Sequence, residues 1–218
     1  MSWEVDHLVI GAATLEQGAA WCEATLGVVP APGGKHPLMS THNRLLAIGS
    51  DKFPRVYLEI IAIDPQAPAP GRTRWFDLDR PDLQRALAEQ PMLIHWAARC
   101  ADADAGCAAL AQAGFDRGAV LAAERDTPRG LLRWRISVRS DGQRLCAGAL
   151  PTLIEWGDVH PCDSLPASGV QLDELVLGGL PVDVTSLLPA QVRSVASGAP
   201  LDAVLTTPRG PFRLVSLP

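Results

Sequence analysis

Two histidines and two glutamates interrupt apolar, strand-like runs: His7 in VDHLVIG, Glu59 in VYLEIIAID, His95 in LIHWAAR and Glu155 in PTLIEWG. An imidazole or carboxylate is costly to bury unless a partner pairs with it, a proton neutralises it or a metal binds it. Two neutral imidazoles and two carboxylates balance a divalent cation. They also leave coordination positions for water or substrate on Ni²⁺, Mn²⁺, Co²⁺ or Fe²⁺, or on an expanded Zn²⁺. His7, Glu59, His95 and Glu155 are therefore the candidate metal ligands, and about one divalent ion per chain is expected.

The elements that would position them repeat along the chain. VDHLVIG and LDELVLG share D-x-L-V-x-G, and LIHWAAR opens a similar stretch between them. A helix is predicted from Thr14 to Leu26, with Thr14 and Gln17 as a capping box and Gly27 as its C-cap. A second, Ala-rich helix is predicted from Asp102 to Ala113, ending at Gly114. The two closing glycines lie at almost the same distance from His7 and His95. Strand-like runs follow each helix: 28–30, 43–48 and 56–63 in the first unit, then 119–123, 131–138 and 152–156 in the second. Each unit reads βαβββ. Closing it in the order 1-4-3-2 sets the first and last strands side by side in parallel. Alternation then lets His7 share a face with Glu59, and His95 with Glu155.

The fold class is α+β: tandem βαβββ modules forming a curved mixed sheet around a cleft, with a partial third module at the C-terminus. The predicted boundaries are 1–64 for the first module, 65–90 for a Pro-rich linker with a short helix, 91–160 for the second module and 161–218 for a truncated βαββ unit. That last unit is read as a strand, a helix near 189–195, and strands at 201–206 and 212–217. Its turn TPRGPFR repeats TPRGLLR of the second unit. Trp75-Phe76 in the linker is read as packing over the core edge.

Composition narrows the function classes. The chain has 218 residues, 47% hydrophobic and 20% charged, with a net charge of −5. That balance argues against a nucleic-acid groove. No run approaches the ~20 apolar residues of a membrane span. MSWEVDHLVIG has no basic leader pattern, and the five cysteines contain no CxxC pair. A cytoplasmic protein with reduced thiols is expected. A homodimer is permitted but not required, because both modules lie in one chain.

Along 131–138, Leu132, Trp134, Ile136 and Val138 alternate with Arg133 and Arg135. With the apolar set on the helix side, Arg133 and Arg135 would line the concave face and favour an anionic substrate. HPLMSTHNRLLA brings His36, His42, Asn43 and Arg44 to the same region, with His42 and Arg44 expected on the concave side as substrate contacts. His42 reads equally as a turn-stabilising residue, and His160-Pro161 reads as structural.

DHLVIGA, STHNRLLAIGS, YLEIIAID, LIHWAAR and PTLIEWGDVHP resemble the vicinal oxygen chelate superfamily, and within it the glyoxalase-like domain proteins, over residues 3–160. The resemblance implies ligands from the first and last strands of each module. It also implies a metal-polarised carbonyl and a glutamate base, with Glu155 first and Glu59 second. The expected activity is that of a divalent-metal-dependent lyase or isomerase acting on a small carbonyl compound. The alternatives are a metal-free binding or sequestration protein, and an Fe or Mn dioxygenase using two histidines and one carboxylate.

Overall fold

The computed structural model describes residues 2–127 and 130–217. Pro128 and Arg129 of the TPRGLLR turn lie outside the described residues.

The first module comprises β1 (Glu4–Gly11), α1 (Leu15–Leu26), β2 (Ala31–His36), β3 (Thr41–Ala47) and β4 (Tyr57–Ile63). The Thr14 hydroxyl accepts from Gln17 N–H to start α1, and Gly27 closes it with φ 78°. α2 (Pro81–Glu89) lies in the connecting segment. The second module follows as β5 (Met92–Arg99), α3 (Ala103–Gln112), β6 (Ala119–Thr127), β7 (Gly130–Val138) and β8 (Thr152–Trp156). Together they form one eight-stranded sheet, β2-β3-β4-β1-β5-β8-β7-β6. Each module therefore has the expected 1-4-3-2 order, and β1 and β5 join antiparallel at the seam. β2 begins at Ala31, later than the expected strand at 28–30.

Both faces of this sheet are buried. Leu8, Ile10, Leu58, Ile60, Trp96 and Leu153 pack on the helical side with Cys22, Leu26 and Leu110. Val9, Ile61, Ala97, Trp134, Ile136 and Ile154 pack on the concave side. There they meet Trp75, Phe76, Leu78 and Leu87 from the connecting segment. Trp75-Phe76 thus enters the cleft itself rather than covering the core edge. Phe76 (φ 60°) and Asp77 (φ 59°) adopt the left-handed conformation, strained for such residues. The turn is held by Asp77 N–H to Gly142 O (2.9 Å) and by the Arg144–Asp77 ion pair (3.0 Å).

The C-terminal segment forms β9 (Gln171–Gly178), α4 (Val182–Thr185), β10 (Arg193–Val195), β11 (Leu201–Thr207) and β12 (Gly210–Val215). Its sheet order is β10-β9-β11-β12, so its strands are arranged differently from those of the two modules. The helix expected near 189–195 is corrected: helix forms earlier, after Pro181, and Arg193–Val195 pairs in parallel with β9. Leu172, Leu175, Leu177, Leu201 and Leu205 of this sheet join the core on the helical side.

Candidate active site

His7 and Glu59 come together as expected. β1 and β4 are parallel neighbours, and His7 Nε2 lies 3.7 Å from Glu59 Oε2, both side chains being buried. A register shift between Val5 and His7 leaves Asp6 outside the pairing with β5. Asp6, fully buried, thereby reaches His7 Nδ1 at 2.6 Å through Oδ1. Its Oδ2 accepts from Trp156 Nε1 (2.9 Å) and contacts His160 Nε2 (3.0 Å). Burial alone would push the Asp6 carboxyl up, but the hydrogen bonds from His160 and His7 hold it well below the carboxylate range. Burial likewise opposes charge on His7, yet its bond to Asp6 and the nearby charges of Asp6 and Glu59 raise its pKa. The imidazolium form of His7 is thereby favoured, and its Nε2 faces Glu59. Tyr57 stacks on its ring at 4.6 Å and is kept neutral by burial.

A second chain of contacts fixes the other carboxylate oxygen. Asn43 donates from Nδ2 to Glu59 Oε1 at 2.6 Å and lies 3.2 Å from His36 Nε2. Its Oδ1 accepts from Gly34 N–H at 2.8 Å. Burial pushes the His36 pKa down to about 4, so its ring is neutral, with Nδ1 bonded to the Thr41 hydroxyl at 3.0 Å. A small cavity of about 30 Å³ lies against these groups, walled by Trp75, Phe76, Trp134 and Trp156. Arg125 of β6 also reaches it.

The other expected residues lie elsewhere. His95 is fully buried, and both ring nitrogens are occupied: Nδ1 on Gly148 O (3.1 Å) and Nε2 on the Thr152 hydroxyl (2.9 Å). Burial drives its pKa well below the usual imidazole value, and the Phe76 ring packs 4.9 Å from it. Glu155 belongs to the helical side. Its Oε2 accepts from Ala103 N–H at the start of α3 (2.9 Å) and from Arg135 Nη1 (3.0 Å). Arg135 also pairs with Asp104, and Arg133 pairs with Glu124 at 3.1 Å. His42 borders a separate cavity with Glu16, and both His42 and Arg44 act electrostatically on that carboxylate, on the α1 side.

These corrections share one cause. The apolar residues of β7 line the concave face because the connecting segment fills it, so the alternating arginines and Glu155 turn outward. In a sheet buried on both faces, an apolar alternation does not say which side faces the helices. Sequence reasoning passed over Asp6, Tyr57 and Arg125, and gave His36 and Asn43 no role. The one local signal was the Asp6-His7 pair, whose geometry depends on the register shift.

A family model for the glyoxalase-like domain matches residues 5–191. This chain belongs to the glyoxalase-like domain family. A hypothetical protein from Staphylococcus aureus shares the fold at a TM-score of 0.55 and 15% identity, over 99% of this chain and 86% of that one. A Streptomyces coelicolor methylmalonyl-CoA epimerase is more distant, at a TM-score of 0.45 and 19% identity over 72% of this chain and 96% of its own. A Mycobacterium tuberculosis methylmalonyl-CoA epimerase gives 0.40 and 18% over 70% and 86%. A search of curated proteins finds no significant match.

The donor set of this glyoxalase-like chain does not fit the divalent metal expected from the sequence. His95 has no free nitrogen and Glu155 is on the other side of the sheet, so of the four expected ligands only His7, bound through Nδ1 to Asp6, and Glu59 face each other. His36, the other imidazole nearby, shares Asn43 with Glu59, so the same positions do not offer a free two-histidine, one-carboxylate set. Among the described residues no group of three or more His, Cys, Asp or Glu is arranged to hold an ion. Saturating a site at 100 times its Kd adds ~2.7 kcal/mol, or about 5–10 °C in Tm for a chain of this size. Thermal melts with Zn²⁺, Ni²⁺, Mn²⁺, Co²⁺ and Fe²⁺ should show no such rise, and a reproducible shift of that size would restore the metal centre.

Glu155 acts on stability at the α3 terminus. Glu155→Ala should cost about 1 kcal/mol by denaturant titration, through loss of an N-terminal acceptor and an Arg135 contact. Ligand affinity in the cleft should not change.

Among the described residues no helix is long and apolar enough to cross a membrane.

Proposed function

We propose that this glyoxalase-like protein is a lyase or isomerase that moves a proton on carbon next to the carbonyl of a small molecule. Glu59 is the base, and the His7 imidazolium stands where a metal would polarise the carbonyl. The observation that carries this reading is the buried Asp6–His7···Glu59 array, in which Nε2 and Oε2 face each other at 3.7 Å. That separation is too long for a hydrogen bond between them, so both groups are available to a ligand.

The roles follow from the contacts. The substrate carbonyl oxygen accepts from His7 Nε2–H, and Glu59 Oε2 takes the proton from the adjacent carbon. The electron pair of that C–H bond moves onto the oxygen as an enolate, which the imidazolium stabilises. Return of the proton to either carbon face, or to a neighbouring atom, completes an isomerisation. Expulsion of a leaving group from the enolate completes an elimination. Asn43 keeps Oε1 occupied and so orients Oε2, while Asp6 maintains the charge on His7. The aromatic walls exclude water, which strengthens these electrostatic effects.

The test is hydrogen–deuterium exchange at carbon, followed by NMR in D₂O, across pyruvate, acetoacetate, phenylpyruvate and their methyl esters. Protein-dependent exchange with at least one compound is expected, without added metal. A second reading, a binding protein using the same cleft, is favoured by the occupation of its other half by Trp75 and Phe76. Ligand-dependent stabilisation with no exchange for any compound would decide for binding.

A further inference from the structure

The cavity beside Glu59 adjoins a second one of about 420 Å³, and Leu45, Arg125 and Pro161 line both. Arg125 thus stands at the neck between a chamber of a few atoms and one large enough for a small-molecule body. Its placement requires glycine on the facing strand: a Cβ at Gly34 would fall 1.5 Å from Arg125 Nη1. The neighbouring Gly33 makes similar room, since a Cβ there would fall 2.0 Å from Asn43 Oδ1. Pairing of β2 with β3 shifts between Pro32 and Lys35, across these two glycines. One irregular turn of strand therefore orients Asn43 on Glu59 and admits Arg125 to the neck.

Burial works against the Arg125 charge more than the nearby Tyr57 and Glu59 support it. Nη1 is buried with no hydrogen-bond partner, and Arg125 forms no ion pair among the described residues. The other cation bordering the outer chamber, Lys35, is already bound to Asp64 at 2.8 Å. Arg133, the arginine nearest along the hairpin, is held by Glu124. A partly desolvated guanidinium with an unused donor is unfavourable alone, and a carboxylate would satisfy it through two parallel hydrogen bonds.

We propose that Arg125 is the carboxylate-binding residue of this cleft, so that its ligand is an oxo acid. The carbonyl end enters the inner chamber, the carboxylate rests on Arg125, and the remaining body lies in the outer chamber. The oxo part of this inference rests on the proton-transfer reading, whereas the carboxylate part stands on Arg125 alone.

Calorimetric titration separates the two. Pyruvate, acetoacetate and phenylpyruvate are each compared with the corresponding methyl ester on wild type, Arg125→Met, Arg125→Lys and Glu59→Gln. At least one acid should bind wild type ~10-fold or more tightly than its ester. That preference should vanish in Arg125→Met and survive in part in Arg125→Lys, which keeps the charge but not the fork. Glu59→Gln should keep the preference even though it cannot exchange protons. Equal binding of acid and ester to wild type, an undiminished preference in Arg125→Met, or no binding of any acid at millimolar concentration would overturn the assignment. Should Arg125→Met fail to fold, wild type and Arg125→Lys still decide it. Loss of exchange with the acid preference intact would instead refute only the catalytic reading.

Discussion

Glu59→Gln should reduce carbon–deuterium exchange by about 10²–10⁴-fold, the usual contribution of a positioned general base. Glutamine is nearly isosteric, and its carbonyl can still accept from Asn43, as Glu59 Oε1 does at 2.6 Å. The fold should therefore persist, and binding of an oxo acid should change by less than about tenfold, since ground-state contacts are largely kept. What disappears is the carboxylate oxygen facing His7 Nε2, the atom placed to take a proton from carbon. A variant retaining more than about a tenth of wild-type exchange would move the base elsewhere.

Asp6→Asn should lower stability by about 3 kcal/mol, or about 6–12 °C in Tm. The carboxylate is fully buried and meets His7, Trp156 and His160. An amide presents an N–H where every partner is itself a donor, leaving buried groups unsatisfied. Exchange activity should also fall near neutral pH, because His7 loses the partner that raises its pKa. A purely structural Asp6 would change Tm without moving the pH profile of exchange.

The pH dependence of stability has two signs. The Asp6 pKa is depressed in the fold, so its contribution is present above its ordinary value of 3.8 and is lost as pH falls through the folded value. The His7 pKa is raised, so its contribution is full below the ordinary 6.5 and is lost as pH rises through the folded value. Wild-type Tm should be highest between these limits. In Asp6→Asn the difference between pH 5 and pH 9 should narrow, and an unchanged difference would separate His7 from Asp6 energetically.

The architecture was readable because its signals are local or repeated. Thr14 and Gly27 mark the ends of α1, Asp102 opens α3, and matching polar residues in successive strands reveal the duplicated module. Those features also placed His7 and Glu59 on adjacent parallel strands. The C-terminal sheet was less readable, because Arg193–Val195 is strand only through pairing with β9.

The pairing of His7 with Glu59 and the duplicated strand order follow from this chain's own residue pattern. Which face of β3, β7 and β8 lines the cleft followed instead from Trp75 and Phe76, distant in sequence, filling the concave side. Side chains alternate with a period of two, so one choice of face moved His42, Arg44, Arg133, Arg135 and Glu155 out of the site together. It also brought Asn43 and Arg125 in. A register shift at Asp6 and a glycine pair opposite Arg125 completed the site, both being contacts between strands that no local pattern specifies.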